Sequence, residues 1–252
     1  VADSVDEVDG LCWITPDWPA PTNIRAASSL RSGGKSVGKY GALNLGDHVG
    51  DEAASVAANR AQLQQTLALP STPLWLTQVH GSHAIDAANS AADTEADASF
   101  TIRPGVVSAV LTADCLPLLL CDKTGTAVAA VHAGWRGLAA GVIESTIAAM
   151  GEGRELMAWL GPAIGAQCFE VGAEVRAAFV ARDAAATEAF LPARAGHWYA
   201  DLYRLAEITL EKQGVRDVYG GEWCTVSSPE HFYSYRRDGV TGRMATLIWR
   251  VT

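Results

Sequence analysis

Three short apolar runs, each running into a turn that contains Gly or Pro, constrain this chain more than any other feature. They are Trp75-Leu-Thr-Gln-Val-His80-Gly81, Thr112-Ala-Asp-Cys115-Leu-Pro117 and Ala129-Ala-Val-His132-Ala-Gly-Trp-Arg136-Gly137. Apolar runs of this length bounded by turn residues read as buried strands. Each also places one good metal ligand at a strand end, where open α/β sheets carry their chemistry. As neighbouring strands, the runs bring His80, Cys115 and His132 to one point. Two His and one Cys are the three-ligand set of a catalytic zinc site, whose fourth tetrahedral position stays open for water or substrate. A lone Cys between apolar segments is by default an inert buried thiol, and a lone His near a strand end is by default a hydrogen-bonded or surface residue. Three ligands at matching positions shift that balance towards a metal-dependent enzyme.

The rest of the chain alternates strand-like and helix-like segments, without a low-complexity linker or a recognisable repeat. Residues 52–68 carry Val56, Leu63 and Leu67 among Ala and polar residues, a helix ended by Pro70. Strands are expected over Leu74–Val79, Val106–Leu111, Leu116–Cys121, Ala127–Val131, Met157–Leu160, Val215–Tyr219, Trp223–Val226 and Met244–Val251. Val106–Leu111 and Leu116–Cys121 flank the Ala113-Asp-Cys115 turn, and Val131 to His132 is a strand-to-helix junction. Further helices are expected over 138–150, Ala173–Ala181 and Leu202–Gln213, the last stopped by Gly214 in a C′ position. The order is not a strict βαβ repeat. It predicts an α/β (α+β mixed) fold, a single layered domain over residues 1–252 with a central sheet of mixed strand directions.

With 252 residues and 49% hydrophobic composition, the chain has ample material for a large core. A formal net charge of −9 with scattered basic residues argues against nucleic acid as a partner, because phosphate binding needs clustered cations. Arg outnumbers Lys by fifteen to four, which suits bidentate capture of small anions, but a biased codon usage gives the same excess. The five cysteines, Cys12, Cys115, Cys121, Cys168 and Cys224, are odd in number and contain no CxxC pair, as expected of reduced thiols in the cytosol. The acidic start lacks the pattern of a signal peptide, and no apolar run approaches a membrane span. The expectation is a cytoplasmic protein that engages no membrane.

Several other residues carry chemistry. Asp114 precedes Cys115 and is placed either to orient a ligand His or to act as a general base, against a simpler role in capping its turn. Arg136, four residues past His132, falls at an expected helix N-terminus, where it can hold an anion or form a surface salt bridge. His83 lies near His80, but a fourth protein ligand would close the open catalytic position. Gly33-Gly-Lys-Ser36 lacks the first Gly of a phosphate loop, since Ser29 stands there, and reads as a turn. The glycine-rich stretch around it is a candidate flap with Arg31 as an anion contact. Cys168 is a candidate pocket residue, more readily a small buried one. His48, His197 and His231 have no matching partners in sequence.

The three ligand stretches resemble those of the YfiH-type family, also called the laccase-domain or polyphenol-oxidase family, whose members were later described as purine nucleoside enzymes. The resemblance continues through Arg31-Ser-Gly-Gly34, Leu43-Asn-Leu-Gly46, His48-Val-Gly-Asp51, Asn59-Arg60, Leu160-Gly-Pro-Ala-Ile-Gly165, Phe232-Tyr-Ser-Tyr-Arg-Arg237 and Thr241-Gly-Arg243. It implies that His80, Cys115 and His132 form a zinc site. It further implies a layered αββα architecture, like that of the catalytic domain of cytotoxic necrotizing factors. The implied activities are phosphorolysis of adenosine, inosine and methylthioadenosine, with purine nucleosides and phosphate as partners, and deamination of adenosine.

Residue chemistry discriminates among these labels. A multicopper oxidase needs roughly ten His in paired motifs, whereas the chain has six His and no HxH pair. Copper in the His/Cys/His set would oxidise phenols weakly. Zinc suits deamination, because it lowers the pKa of water to near neutrality, and Asp114 is the sequence-local candidate for the accompanying proton transfer. Phosphorolysis asks instead for an Arg-lined anion pocket. The same residues without metal make a thiol hydrolase or amidase, with Cys115 as nucleophile and His132 as base. The family's other name, peptidoglycan editing factor, keeps that alternative open. A non-catalytic binding domain explains the fold but not three convergent ligands.

Overall fold

Alternation along the central strands sets the layers. In the computed structural model, which describes residues 3–251, β7 (Leu116–Asp122) and β8 (Val128–Ala133) are buried along their whole length. Leu118, Leu120, Ala129 and Val131 pack to one side of this pair, and Leu119, Cys121, Val128 and Ala130 to the other. Such two-sided burial requires a covering layer on each face.

β7 and β8 belong to a six-stranded sheet ordered β13 (Asp217–Gly220), β9 (Leu156–Leu160), β7, β8, β5 (Ala98–Thr101) and β4 (Ala84–Asp86). The pairs β13/β9 and β4/β5 are parallel and the others antiparallel, so the strand directions are mixed as expected. A second, antiparallel sheet of five strands runs β1 (Ser4–Val8), β2 (Leu11–Thr15), β3 (Ile24–Ser29), β14 (Met244–Arg250) and β6 (Val107–Thr112). The two sheets face each other across Ile14, Ile24, Val110 and Ile248 on one side and Leu119, Cys121, Val128 and Trp159 on the other.

Helices close both outer faces. Leu63 of α1 (Ala53–Thr66) packs with Leu43, Leu45 and Trp75 over Val107, Ala109, Leu247 and Trp249. On the far side, α2 (Trp135–Ala140), α3 (Val142–Met150), α4 (Ala173–Arg182) and α5 (Leu202–Lys212) cover the six-stranded sheet through Leu138, Val142, Ile143, Val175, Phe179 and Leu205. The result is the αββα layering that the resemblance implies. A small third sheet, β10 (Glu170–Gly172), β12 (His197–Ala200) and β11 (Phe190–Pro192), and the short α6 (Tyr235–Asp238) complete the elements. No helix among the described residues is long and apolar enough to cross a membrane.

Three of the expected elements come out differently in the structure. Leu74–Val79 is not a strand but an extended segment with isolated bridges at Leu74 and Thr77. There the Gln78 carboxamide takes the place of a neighbouring backbone, accepting from the Leu111 N–H at 2.7 Å and donating to its carbonyl at 2.8 Å. Trp223–Val226 is likewise a loop, bridged once between Ala163 and Cys224, because the Trp223 carbonyl accepts from the Tyr203 hydroxyl at 2.7 Å. The helix expected over 138–150 starts at Trp135 and breaks at Gly141, whose φ of 93° ends α2. Glycine reaches that left-handed region without the Cβ penalty.

Candidate metal centre and its pocket

The turn Ala113–Cys115 does not join neighbours in one sheet: it carries the chain from β6 of the five-stranded sheet into β7 of the six-stranded one. Cys115 therefore stands at the seam between the layers. Asp114 makes the crossing with a φ of 100°, a conformation that costs energy in a residue with a Cβ and persists only where its surroundings enforce it. Its carboxylate does so by accepting from the Thr225 hydroxyl and the Arg236 N–H, both at 2.6 Å.

His80 reaches the same seam at the end of the Gln78-anchored segment and also lies in the left-handed region, with a φ of 61°. The fully buried Asp97 holds it there, accepting from the N–H groups of Val79 (3.2 Å), His80 (2.9 Å) and Gly81 (2.6 Å). Asp97 also meets His132 Nδ1 at 2.7 Å, which directs the other ring nitrogen of His132 into the site. His132 itself lies in β8 opposite Pro117, one residue before the strand ends, so the expected junction comes slightly late. One carboxylate thus fixes the His132 imidazole and the backbone that carries His80, and it is Asp97 and not Asp114 that stands behind a ligand ring.

The three ligand atoms all lie within 4.8 Å of one another, and Cys115 Sγ is 3.8 Å from His80 Nε2. A tetrahedral zinc ion with ordinary bond lengths holds such atoms about 3.5 Å apart, so the donor set fits after a small contraction. Burial pushes the Cys115 thiol up, but the neighbouring His132 and His80 imidazoles outweigh it and bring the group down to about 6. Burial conversely pushes His132 down, and the Cys115 thiolate with the Asp97 carboxylate raises it to about 9. The site is therefore built to carry a thiolate, the form that binds metal or attacks an electrophile. Among the described residues this is the one group of three or more His, Cys, Asp or Glu placed to share an ion.

The ligands open onto a cavity of about 400 Å³ that has both apolar walls, including Leu111, Ile164 and Phe169, and three arginines, Arg136, Arg236 and Arg243. Arg136 is exposed and stacks over the Trp135 ring at 4.4 Å, not in the surface salt bridge that sequence also allowed. Arg236 donates to the Glu170 carbonyl, and Arg243 to the carbonyls of Thr241 and Gly242. Burial lowers the Arg243 pKa, opposed by Cys115 and Asp114. His48, for which sequence offered no partner, also lines the cavity, its pKa lowered by burial and by Arg243. Arg31 is turned away, pinned to the carbonyls of Gly41 and Pro229, and His83 meets the Glu95 carbonyl. Sequence reasoning thus missed Asp97, His48, Arg236 and Arg243 as site residues, although the last three fall within motif stretches already singled out.

Residues 25–251 match the family model described as "Multi-copper polyphenol oxidoreductase laccase". The chain belongs to this laccase-like family. Among its laccase-like relatives are a purine nucleoside phosphorylase of Pseudomonas aeruginosa, 54% identical over 239 residues that cover 94% of this chain and 98% of the relative. The purine nucleoside phosphorylase YfiH of Escherichia coli is 50% identical over 240 residues, with the same coverage. The crystal structure of a Neisseria meningitidis protein superposes with a TM-score of 0.91 at 50% identity, covering 95% of this chain and 99% of that one. YlmD from Geobacillus stearothermophilus gives a TM-score of 0.87 at 29% identity, with 98% of each chain covered. The laccase-like fold and the enzyme names of the relatives agree with the site's geometry, whereas one three-ligand group does not supply the several copper centres of the family's description.

Proposed function

We propose that the protein is a zinc-dependent purine nucleoside enzyme that cleaves adenosine, inosine or methylthioadenosine with phosphate to the free base and ribose 1-phosphate, and also deaminates adenosine. The observation that carries this reading is the opening of the His80/Cys115/His132 set onto the same cavity as Arg136, Arg236 and Arg243. Those are the two requirements of the chemistry, a Lewis-acid site and an anion pocket. The relatives named as purine nucleoside phosphorylases support it. Zinc, when bound, supplies electrophilic polarisation and a more acidic water.

The chain's own residues do the rest. Asp97 orients the His132 imidazole and holds the backbone of the His80 segment, and the apolar walls exclude water from a purine ring. Arg243, partly buried and donating to the carbonyls of Thr241 and Gly242, attracts phosphate, and Arg136 completes the anion site at the rim. Asp114 has both carboxylate oxygens engaged, which favours a role in holding the Arg236 wall over one in carrying a proton. Residues 1–252 act as one unit in this reading. Elemental analysis should give about one zinc per chain, and adenosine incubated with and without phosphate should give adenine or inosine by chromatography. A Cys115→Ala protein that keeps its zinc through dialysis against a moderate chelator, or that forms as much product as the parent, would overturn the proposal.

A second reading is favoured by the serial arrangement of Cys115, His132 and Asp97, which is that of a nucleophile, a base and an orienting carboxylate. It makes the protein a metal-free hydrolase or amidase acting on peptidoglycan precursors. Activity that survives complete removal of metal selects this reading, and activity lost with the metal and restored by zinc rejects it. Copper in the same set would give weak phenol oxidation, recognisable by its dependence on added Cu(II).

A further inference from the structure

Behind the Phe169 wall of the cavity lies a second sulfur centre that the zinc chemistry does not use. Gly165 opens a turn whose last residue, Cys168, donates its N–H to the Gly165 carbonyl at 2.9 Å. Cys224 packs directly on that glycine: the Gly165 N–H donates to Cys224 Sγ at 3.3 Å, and a Cβ on Gly165 would lie 3.1 Å from both Cβ and Sγ of Cys224. The Ser227 hydroxyl touches both sulfurs, donating to Cys224 Sγ at 3.3 Å and lying 3.6 Å from Cys168 Sγ. Both cysteines are free and neither is fully buried.

We propose that Cys168 and Cys224 are a peroxide-reactive dithiol that closes to a disulfide beside the active-site cavity. The geometry distinguishes the two sulfurs. Cys224 receives hydrogen bonds from an amide and a hydroxyl, the surroundings that favour a thiolate. Burial pushes it up, but the hydroxyl of Ser227 and the N–H groups of Gly165, Ser227 and Val226 bring it below its ordinary value, while burial raises Cys168. Cys224 is the attacking sulfur and Cys168 the resolving one.

The chemistry balances with hydrogen peroxide as the oxidant. The Cys224 thiolate attacks one peroxide oxygen, the O–O bond breaks, and the departing hydroxide takes a proton to become water, leaving a sulfenic acid on Cys224. Cys168 then attacks that sulfur, the S–O bond breaks and a second water leaves. The Cys168 proton has an exit through the Ser227 hydroxyl, which bridges the two sulfurs. Two thiols are oxidised by two electrons and one peroxide is reduced to two waters.

The pair is wired to the cavity from both ends. Phe169, next to Cys168, lies in its wall under the Arg236 guanidinium. Thr225, next to Cys224, donates to the Asp114 carboxylate, which also accepts the Arg236 N–H. Tying residue 168 to residue 224 therefore restrains both supports of Arg236.

The test treats the zinc-loaded protein with one to a few equivalents of hydrogen peroxide, blocks remaining thiols and maps peptides by mass spectrometry. The expected result is a peptide pair joined through Cys168 and Cys224, lighter by two hydrogens and separated by dithiothreitol, and absent from Cys168→Ser and Cys224→Ser variants. Hydrogen exchange of the joined protein should slow at 166–170 and at the Arg236 N–H relative to the reduced protein. Neither readout depends on which reaction the cavity performs. Oxidation confined to Cys115, or stable sulfenic or sulfinic acid on Cys224 without the cross-link, overturns the dithiol. Unchanged exchange at Arg236 in the joined protein overturns its connection to the cavity.

Discussion

Asp97 and His132 are joined by a 2.7 Å hydrogen bond in which neither partner is open to solvent, and the same carboxylate accepts three backbone N–H groups of the segment bearing His80. Carboxylates behind metal-bound imidazoles commonly govern affinity by 10–100-fold. Asp97→Asn should therefore weaken zinc binding by about 10–100-fold in a chelator competition. Affinity within twofold of the parent would show that the geometry is held elsewhere.

The thiolate character of Cys115 is testable without metal. With the thiol at about 6 and His132 at about 9, the metal-stripped protein carries a thiolate–imidazolium pair between those values. Because the thiolate is the reactive form, alkylation of Cys115 by iodoacetamide should rise as pH passes about 6 and stay level towards 9. A single rise centred at the ordinary thiol value would refute the pairing.

Arg243 and Arg136 should separate by burial. Loss of a charge-assisted hydrogen bond in a desolvated site costs about 1.5–3 kcal/mol, so Arg243→Ala should reduce phosphorolysis by roughly ten- to a hundredfold with zinc content unchanged. Arg136→Ala, at the exposed rim, should have the smaller effect, and deamination, which needs no phosphate, should fall less in both. Equal losses of the two activities would argue against phosphate-specific contacts.

Gly134 is a steric necessity of the centre. A Cβ there would lie 2.9 Å from Cys115 Sγ and 3.2 Å from His80 Cδ2. Gly134→Ala should displace the ligands at an overpacking cost of about 1–3 kcal/mol. Zinc stoichiometry should fall while circular dichroism still reports a folded protein. Full zinc occupancy would mean that the seam relaxes freely.

Legibility in the sequence followed burial and length. Strands β7, β8 and β14 and helices α1, α4 and α5 could be read because their apolar pattern persists for several residues. Strands β1 and β10 to β12 could not, being short or, as in Ser4–Val8, largely exposed, and β3 could not because Ile24–Ser29 carries only small or polar residues after Ile24. The Leu74–Val79 segment imitated a strand because Leu74, Trp75, Leu76 and Val79 are apolar, but its Gln78 amide replaces part of the expected backbone pairing. His80, Cys115 and His132 stood out through their flanking turns. Asp97 did not, since nothing near it in sequence marks a carboxylate that will meet an imidazole 35 residues later.

The crossing at Ala113–Cys115 gathers the ligands where the two sheets meet: the His80 segment is tied to β6 through Gln78 and to the start of β5 through Asp97, Cys115 sits in the crossing itself and His132 belongs to the six-stranded sheet. Until the sheets dock, the His80 segment is anchored on one side only. An ion held by the three side chains would rivet the layers together, so that losing the metal and parting the layers would be coupled events.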